Sequence, residues 1–129
     1  MGIDLVNIPR MEAALNRWGD RFLRRVFTEQ EVEICFQRAY PAASFALRFA
    51  AKEAFSKALG LGMRKGIRWR DIEVLHLPGG RPTLNLKGRS SETCKEKGIT
   101  RLHLSLTDEG DYGAAVVILE EKDETGKGL

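Results

Sequence analysis

The chain has 129 residues, 43% of them hydrophobic and 30% charged, with a formal net charge of +3. That length fits one domain able to bury a core without disulfide or metal staples. No apolar run is long enough to span a bilayer, and no basic segment followed by a continuous apolar one opens the chain, so membrane insertion and secretion lack a signal.

Gly2 to Ile8 is a short apolar run closed by Pro9, the pattern of a buried strand. Alternation places Ile3 and Leu5 on one side and Asp4, Val6 and Ile8 on the other. Both sides read as covered, so the Asp4 carboxylate needs a partner, either backbone amides or a metal. From Pro9 the period becomes helical, with Met11, Ala14, Leu15 and Trp18 forming an apolar stripe that Gly19-Asp20 breaks. A short helix over 20–26 follows, and Thr28-Glu29-Gln30-Glu31 is a capping box opening a third. Arg10, Arg17, Arg21, Arg24 and Arg25 cluster here, as a solvated face or as a dock for an acidic partner.

From Pro41 to Leu59 nearly every uncharged position is Ala, Leu or Phe, as in a helix surrounded by protein on most sides, and Gly60 stops it. At 3.6 residues per turn Ala46, Ala50, Glu53, Lys57 and Gly60 share a stripe, with Arg48 and Lys52 on another side. The small residues leave room for something bulky beside Glu53 and Lys57. These two are either an ordinary i,i+4 pair, contributing about 0.2–0.5 kcal/mol, or part of a site. A glycine-bracketed basic loop, Leu61 to Gly66 with Arg64-Lys65, follows, either to contact phosphates or simply to turn the chain. Residues 71–77 and 83–86 form a hairpin across Pro78-Gly79-Gly80-Arg81-Pro82. Ser90 or Ser91 caps a polar helix ending at Gly98. Residues 101–107 alternate, with Leu102, Leu104 and Leu106 on one face. Residues 112–119 are continuously apolar, as in a strand buried on both faces. Residues 1–120 form one domain and 121–129 a charged, disordered tail. The order of elements and the short loops between strands define an α+β fold, an antiparallel sheet of about five strands packed with a long central helix and shorter helices.

Cys35 and Cys94 are too far apart for zinc or redox spacing and are expected as reduced thiols in a cytoplasmic protein. Asp4 and Glu53 are hard oxygen donors suited to magnesium if the fold brings them together.

The run Arg48-Phe49-Ala50-Ala51-Lys52-Glu53-Ala54-Phe55-Ser56-Lys57-Ala58-Leu59-Gly60 closely resembles the signature helix of the holo-acyl-carrier-protein synthases, a group of 4′-phosphopantetheinyl transferases. Gly2-Ile3-Asp4-Leu5-Val6 resembles the opening strand of that family, and Gly80-Arg81-Pro82, Leu104-Ser105-Leu106-Thr107 and Tyr112-Gly113-Ala114-Ala115-Val116-Val117 match further segments in order, so the likeness covers residues 2–120.

The resemblance implies transfer of the 4′-phosphopantetheine arm of coenzyme A to a serine of acyl carrier protein, releasing adenosine 3′,5′-bisphosphate, for fatty acid biosynthesis. It implies magnesium on Asp4 and Glu53, with Glu53 and Lys57 catalytic. Coenzyme A contacts are implied at Arg48, Lys52, Lys57, Gly60, Arg81, Pro82 and Thr107. It also implies a homotrimer with interface active sites, Arg48 and Lys52 serving a neighbouring subunit's site, and gives the acidic carrier protein as partner for Arg10, Arg17 and Arg21. The chain departs from the family at Asp108, where many members carry histidine; His103, five residues earlier, reads as a half-exposed strand residue.

Two readings from other classes compete. A small basic nucleic-acid-binding domain would suit the arginine cluster, but stacking aromatics interleaved on a strand, a glycine-rich clamp loop and a helix-turn-helix pattern are all missing from the sequence. An inactive carrier-protein-binding module is discouraged by the joint presence of Asp4, Glu53 and Lys57.

Overall fold

The computed structural model describes residues 1–122. Its elements are β1 (Gly2–Asn7), α1 (Ile8–Val26), α2 (Glu29–Phe36), α3 (Pro41–Ala58), a 3-10 turn at Trp69–Asp71, β2 (Ile72–His76), β3 (Pro82–Leu86), α4 (Gly88–Glu96), β4 (Ile99–Glu109) and β5 (Tyr112–Glu121).

The centre of the molecule is α3. Pro41 occupies its first turn, where an amide hydrogen has no partner to lose. The alanine-rich interior has the strongest helix preference available. At the far end Gly60 takes a left-handed φ of 79°, and the amides of Leu61 and Gly62 both donate to the Ser56 carbonyl, which ends the helix. Phe45, Ala46, Ala50, Ala51, Ala54 and Phe55 have no accessible surface, so the helix is enclosed on most sides, as its composition implies. Phe45 sits at the heart of an aromatic cluster, with ring centroids 4.9 Å from Phe27 and 5.2 Å from Phe36.

What encloses α3 on its small side is the protein's own sheet, so the room foreseen for a ligand along Ala46 and Ala50 is already filled. The sheet has the order β1-β5-β4, all antiparallel. Small residues on both partners allow a close approach. A Cβ added to Gly2 would collide with the Ala54 carbonyl oxygen and lie 2.7 Å from the Ala58 nitrogen; one on Gly113 would lie 2.8 Å from a Leu47 methyl. Ala115 and Val117 complete the buried face of β5. Only the C-terminal end of the helix stripe, at Glu53 and Lys57, opens to solvent.

The five strands divide three and two. β2 and β3 form a separate hairpin, paired from Ile72 with Leu86 to His76 with Pro82, and β3 lies beside β4 without joining its ladder. The sheet also differs from expectation on its outer face. Ile3 and Leu5 are 54% and 66% exposed, Ile118 is exposed, and Ala114 and Val116 are only half-buried, so neither β1 nor β5 is covered on both sides in a single chain.

Smaller differences have local causes. The helix over 20–26 continues from the preceding one across a kink at Gly19, whose φ of 52° and ψ of −132° break the helical path. Ser90 does not cap α4; its hydroxyl lies 2.7 Å from the Lys87 carbonyl oxygen and 3.1 Å from that of Asp71. Glu121, expected in the tail, still belongs to β5, and the Lys122 amide donates to Gly98 O; the other residues of the expected tail, 123–129, lie outside the described residues. Among the described residues no helix is long and apolar enough to cross a membrane.

Candidate active site

Asp4 stands in the middle of β1, on the side that faces α3, because alternation along the strand puts it on the same side as Gly2 and Val6. The tight contact of Gly2 with Ala54 and Ala58 draws the strand down onto the end of the helix. Lys57 then reaches across: its Nζ lies 2.8 Å from Asp4 Oδ1 and 3.2 Å from the Ile3 carbonyl oxygen. Glu53 lies one turn earlier on the same helix face. Three of the residues singled out in the sequence, Asp4, Glu53 and Lys57, therefore meet, although 49 to 53 positions of chain separate Asp4 from the other two.

The electrostatics of this group are unequal. Burial, and secondly the neighbouring Asp4 carboxylate, push the Glu53 pKa up, while Lys57 opposes them. The hydrogen bond to Asp4 raises the Lys57 pKa, so its ammonium is held in the charged form. Two carboxylates that resist being charged together create demand for a cation between them, which Lys57 supplies in part from Asp4's side. Among the described residues no three His, Cys, Asp or Glu side chains converge. Asp4 and Glu53 thus offer one or two carboxylates, the donor set magnesium accepts when phosphate oxygens and water complete its shell.

The other expected site residues divide into separate groups. Lys52 is in the core, not at the surface. Its Nζ donates to Glu31 Oε1 at 2.7 Å and to the Trp69 carbonyl at 3.0 Å, with both side chains of the ion pair wholly inaccessible. That environment corrects its expected place among the coenzyme contacts: here Lys52 ties α3 to α2. Glu31 also accepts from the amides of Thr28 and Val74, and Thr28 donates to Glu73 Oε2 at 2.6 Å, joining α2, α3 and β2 through buried polar groups. The capping box marked Thr28 and Glu31 in the sequence; nothing there paired Glu31 with Lys52.

Arg48 is buried too, and bonds Ser44 Oγ at 2.6 Å, but it lines a groove of about 480 Å³ with Arg38, Tyr40, His76 and Gly80. Arg81 is exposed and Pro82 half-buried next to Gly80 in the hairpin, and the Arg81 carbonyl accepts from the Leu77 amide. Thr107 lies on the outer side of β4 in a shallow cleft with Leu5, Asp108 and Tyr112. Gly60 is exposed at the end of α3, beside Lys57. Arg48 and Lys57 are nine residues apart, about 14 Å along the helix axis. One chain therefore carries two separate groups of the expected residues, Asp4, Glu53, Lys57 and Gly60 at one end of α3 and Arg48 with the hairpin turn toward the other. Arg10, Arg17 and Arg21 are exposed on α1, with the Arg17 guanidinium 4.9 Å above the Trp18 ring. A further groove of about 850 Å³, between the ends of α1 and α2 and the 3-10 turn, contains none of these residues.

A helix-on-sheet core whose opening strand brings an aspartate to a Glu-x-x-x-Lys helix defines a class. The chain belongs to the 4′-phosphopantetheinyl transferase superfamily, whose family model matches residues 1–117. Within it, the chain is similar to proteins named holo-[acyl-carrier-protein] synthase. The one from Syntrophus aciditrophicus is 50% identical over 119 residues, 92% of this chain and 93% of the relative. That from Methylorubrum extorquens strain PA1 is 52% identical over 124 residues, 93% and 91% of the two chains. Among solved structures, the Neisseria meningitidis synthase superimposes with a TM-score of 0.85 at 36% identity, covering 93% of this chain and 96% of its own. The Helicobacter pylori synthase in complex with coenzyme A gives 0.81 at 33% identity, covering 92% and 97%.

Proposed function

We propose that this protein transfers the 4′-phosphopantetheine arm of coenzyme A to a serine hydroxyl of apo acyl carrier protein, releasing adenosine 3′,5′-bisphosphate and supplying the carrier for fatty acid biosynthesis. The observation that carries the reading is the meeting of Asp4, Glu53 and Lys57 at the open end of α3.

In the reaction the serine oxygen forms a bond to the phosphorus that bears the pantetheine arm, and the bond from that phosphorus to the oxygen of the departing nucleotide phosphate breaks. Asp4 and Glu53 would hold magnesium, which when bound neutralises charge on pyrophosphate oxygens. Lys57 holds its proton more tightly than an ordinary lysine, so it serves as a fixed positive charge for the leaving phosphate rather than as a proton donor. Glu53, made more basic by burial and by Asp4, is suited to take the serine proton. Gly60, with no side chain and with backbone exposed beside Lys57, leaves space for the coenzyme.

The remaining contacts come from a second copy in this reading. The outer face of the sheet carries Ile3, Leu5, Tyr112 and Ile118 in the open, an apolar surface suited to burial in a homotrimer, and such packing is a means of bringing the Arg48, Arg81, Pro82 and Thr107 side of one copy to the Asp4 side of the next. Arg10, Arg17 and Arg21 supply positive charge for the acidic carrier. Buried, unbridged Cys35 and Cys94 suit a reducing, cytoplasmic setting.

Intact-mass analysis of apo carrier protein incubated with coenzyme A and magnesium tests the reaction. A gain of one phosphopantetheine, abolished by EDTA and by Glu53→Gln, supports it; an unchanged carrier mass with the unmodified protein overturns it.

A further inference from the structure

Lys57 does not make the ordinary i,i+4 pair with Glu53 that its place on the helix allows. Its Nζ crosses to β1, 53 positions away, where it donates to Asp4 Oδ1 at 2.8 Å and to the Ile3 carbonyl oxygen at 3.2 Å. Two of the three ammonium hydrogens are thereby committed to the strand. Among the described residues no other Lys or Arg lies within salt-bridge distance of Asp4, and none lies within that distance of Glu53. The lysine side chain is 50% exposed and that of Asp4 only 15%, so the carboxylate is shielded while its cation stays free to move. Both partners have a second task in the reaction: Asp4 has to hold the metal, and Lys57 has to stand beside the leaving phosphate.

We propose that Lys57 and the divalent metal compete for Asp4, and that the pyrophosphate of coenzyme A resolves the competition by drawing Lys57 away from Asp4 and Ile3, so that metal and coenzyme enter the site as a pair. The inference rests on the metal and coenzyme A reading above and adds an order of events to it. Lys57 keeps its charge throughout and changes its partner. A carboxylate oxygen that accepts from an ammonium at 2.8 Å is engaged, and a doubly charged ion brought to the same carboxylate repels that ammonium. The pyrophosphate offers charged oxygens in place of one carboxylate oxygen and a neutral carbonyl, which favours the exchange. A lysine suits it, since its point charge rides on a flexible four-carbon stem.

The consequence is a coupling between the two ligands. Metal alone binds only those molecules in which Asp4 has let go of Lys57, and its apparent affinity is reduced by that fraction. For a partly exposed ion pair with a charge-assisted hydrogen bond the reduction is about three- to tenfold. Coenzyme removes the competitor and so tightens metal binding, and by reciprocity metal tightens coenzyme binding by the same factor.

The test is manganese binding, read from the electron paramagnetic resonance signal of the free ion, for the unmodified protein, Lys57→Met and Asp4→Asn, each with and without coenzyme A, alongside the carrier mass assay. Lys57→Met should bind manganese alone about three- to tenfold more tightly than the unmodified protein, and Asp4→Asn more weakly. Coenzyme A should tighten manganese binding more in the unmodified protein than in Lys57→Met, by the same factor. A second measurement follows Lys57 itself: its ammonium resonance in nitrogen-15 NMR, identified by its loss in Lys57→Met, should shift when magnesium alone is added to saturation. Manganese binding by Lys57→Met that is equal or weaker, or an ammonium resonance that saturating magnesium leaves in place, overturns the competition while carrier modification stands. Manganese binding indifferent to Asp4→Asn takes Asp4 away from the metal and overturns the proposal with it; a carrier left unmodified by the unmodified protein overturns the function on which it rests.

Discussion

Replacing Lys52 with methionine removes the cation from a buried ion pair and leaves the Glu31 carboxylate with only the amides of Thr28 and Val74. Breaking one partner of such a pair costs about 3–5 kcal/mol, because the remaining charge is stranded in the core. Glu31→Leu should cost a similar amount, since it strands Lys52 on the Trp69 carbonyl alone and orphans two backbone amides. The double variant Lys52→Met, Glu31→Leu has no stranded charge. Its residual cost is the two unpaired amides, about 1–3 kcal/mol each, or about 2–6 kcal/mol in total. The two single changes therefore sum to about 6–10 kcal/mol, and the double variant should recover about 4 of these. Urea unfolding at one fixed protein concentration, read as midpoint shifts at constant slope, measures all three variants. Against a total stability of about 5–15 kcal/mol, each single change is large. Single variants costing under about 1 kcal/mol, or strictly additive effects, would refute a buried, coupled pair. Folded Lys52→Met should also retain its coenzyme affinity, since Lys52 faces the core.

Three further outcomes follow from the site. Glu53 titrates above its ordinary value of 4.5 in the folded protein, so folding is penalised once pH rises through the folded pKa, and the penalty vanishes below the unfolded one; Glu53→Gln in EDTA should raise Tm at pH 7 and give no gain near pH 4, as scanning calorimetry will show. Reversing Arg17 and Arg21 to glutamate should raise KM for carrier protein far more than KM for coenzyme A, with the difference shrinking in added salt; equal rises would exclude α1 as the carrier dock. Gly2→Ala places a methyl group against the Ala54 carbonyl and the Ala58 amide, so it should destabilise the protein by about 1–3 kcal/mol and lower transfer by displacing Asp4, whereas wild-type stability would show that β1 does not press on α3.

The sequence displayed the elements well where local chemistry decides them. The capping box at Thr28, the proline start and glycine stop of α3, and the Leu102, Leu104 and Leu106 alternation all reappear in the structure. It misled where tertiary packing decides. The small residues of α3 suggested space, but glycines and alanines in the strands are small for the same reason, and the two surfaces close on each other. Ile3 and Leu5 suggested burial that a single chain does not provide. Lys52 was indistinguishable from a surface cation because its partner Glu31 is 21 residues away on another helix. Resemblance to the family helix selected Glu53 and Lys57, but Arg38 and His76 follow no periodicity, and only the fold brings them beside Arg48.

The central claim is that one chain supplies only part of a phosphopantetheinyl transfer centre and a second copy completes it. Its most direct test is to co-express Glu53→Gln with Arg48→Met, each inactive alone at low coenzyme concentration, and to measure carrier mass gain by the mixed oligomers. Random mixing in a trimer with interface sites makes about one site in four contain both native residues, so about a quarter of wild-type activity should return. If the mixture stays as inactive as its components, Arg48 and Glu53 act within the same chain and the shared-site account is contradicted.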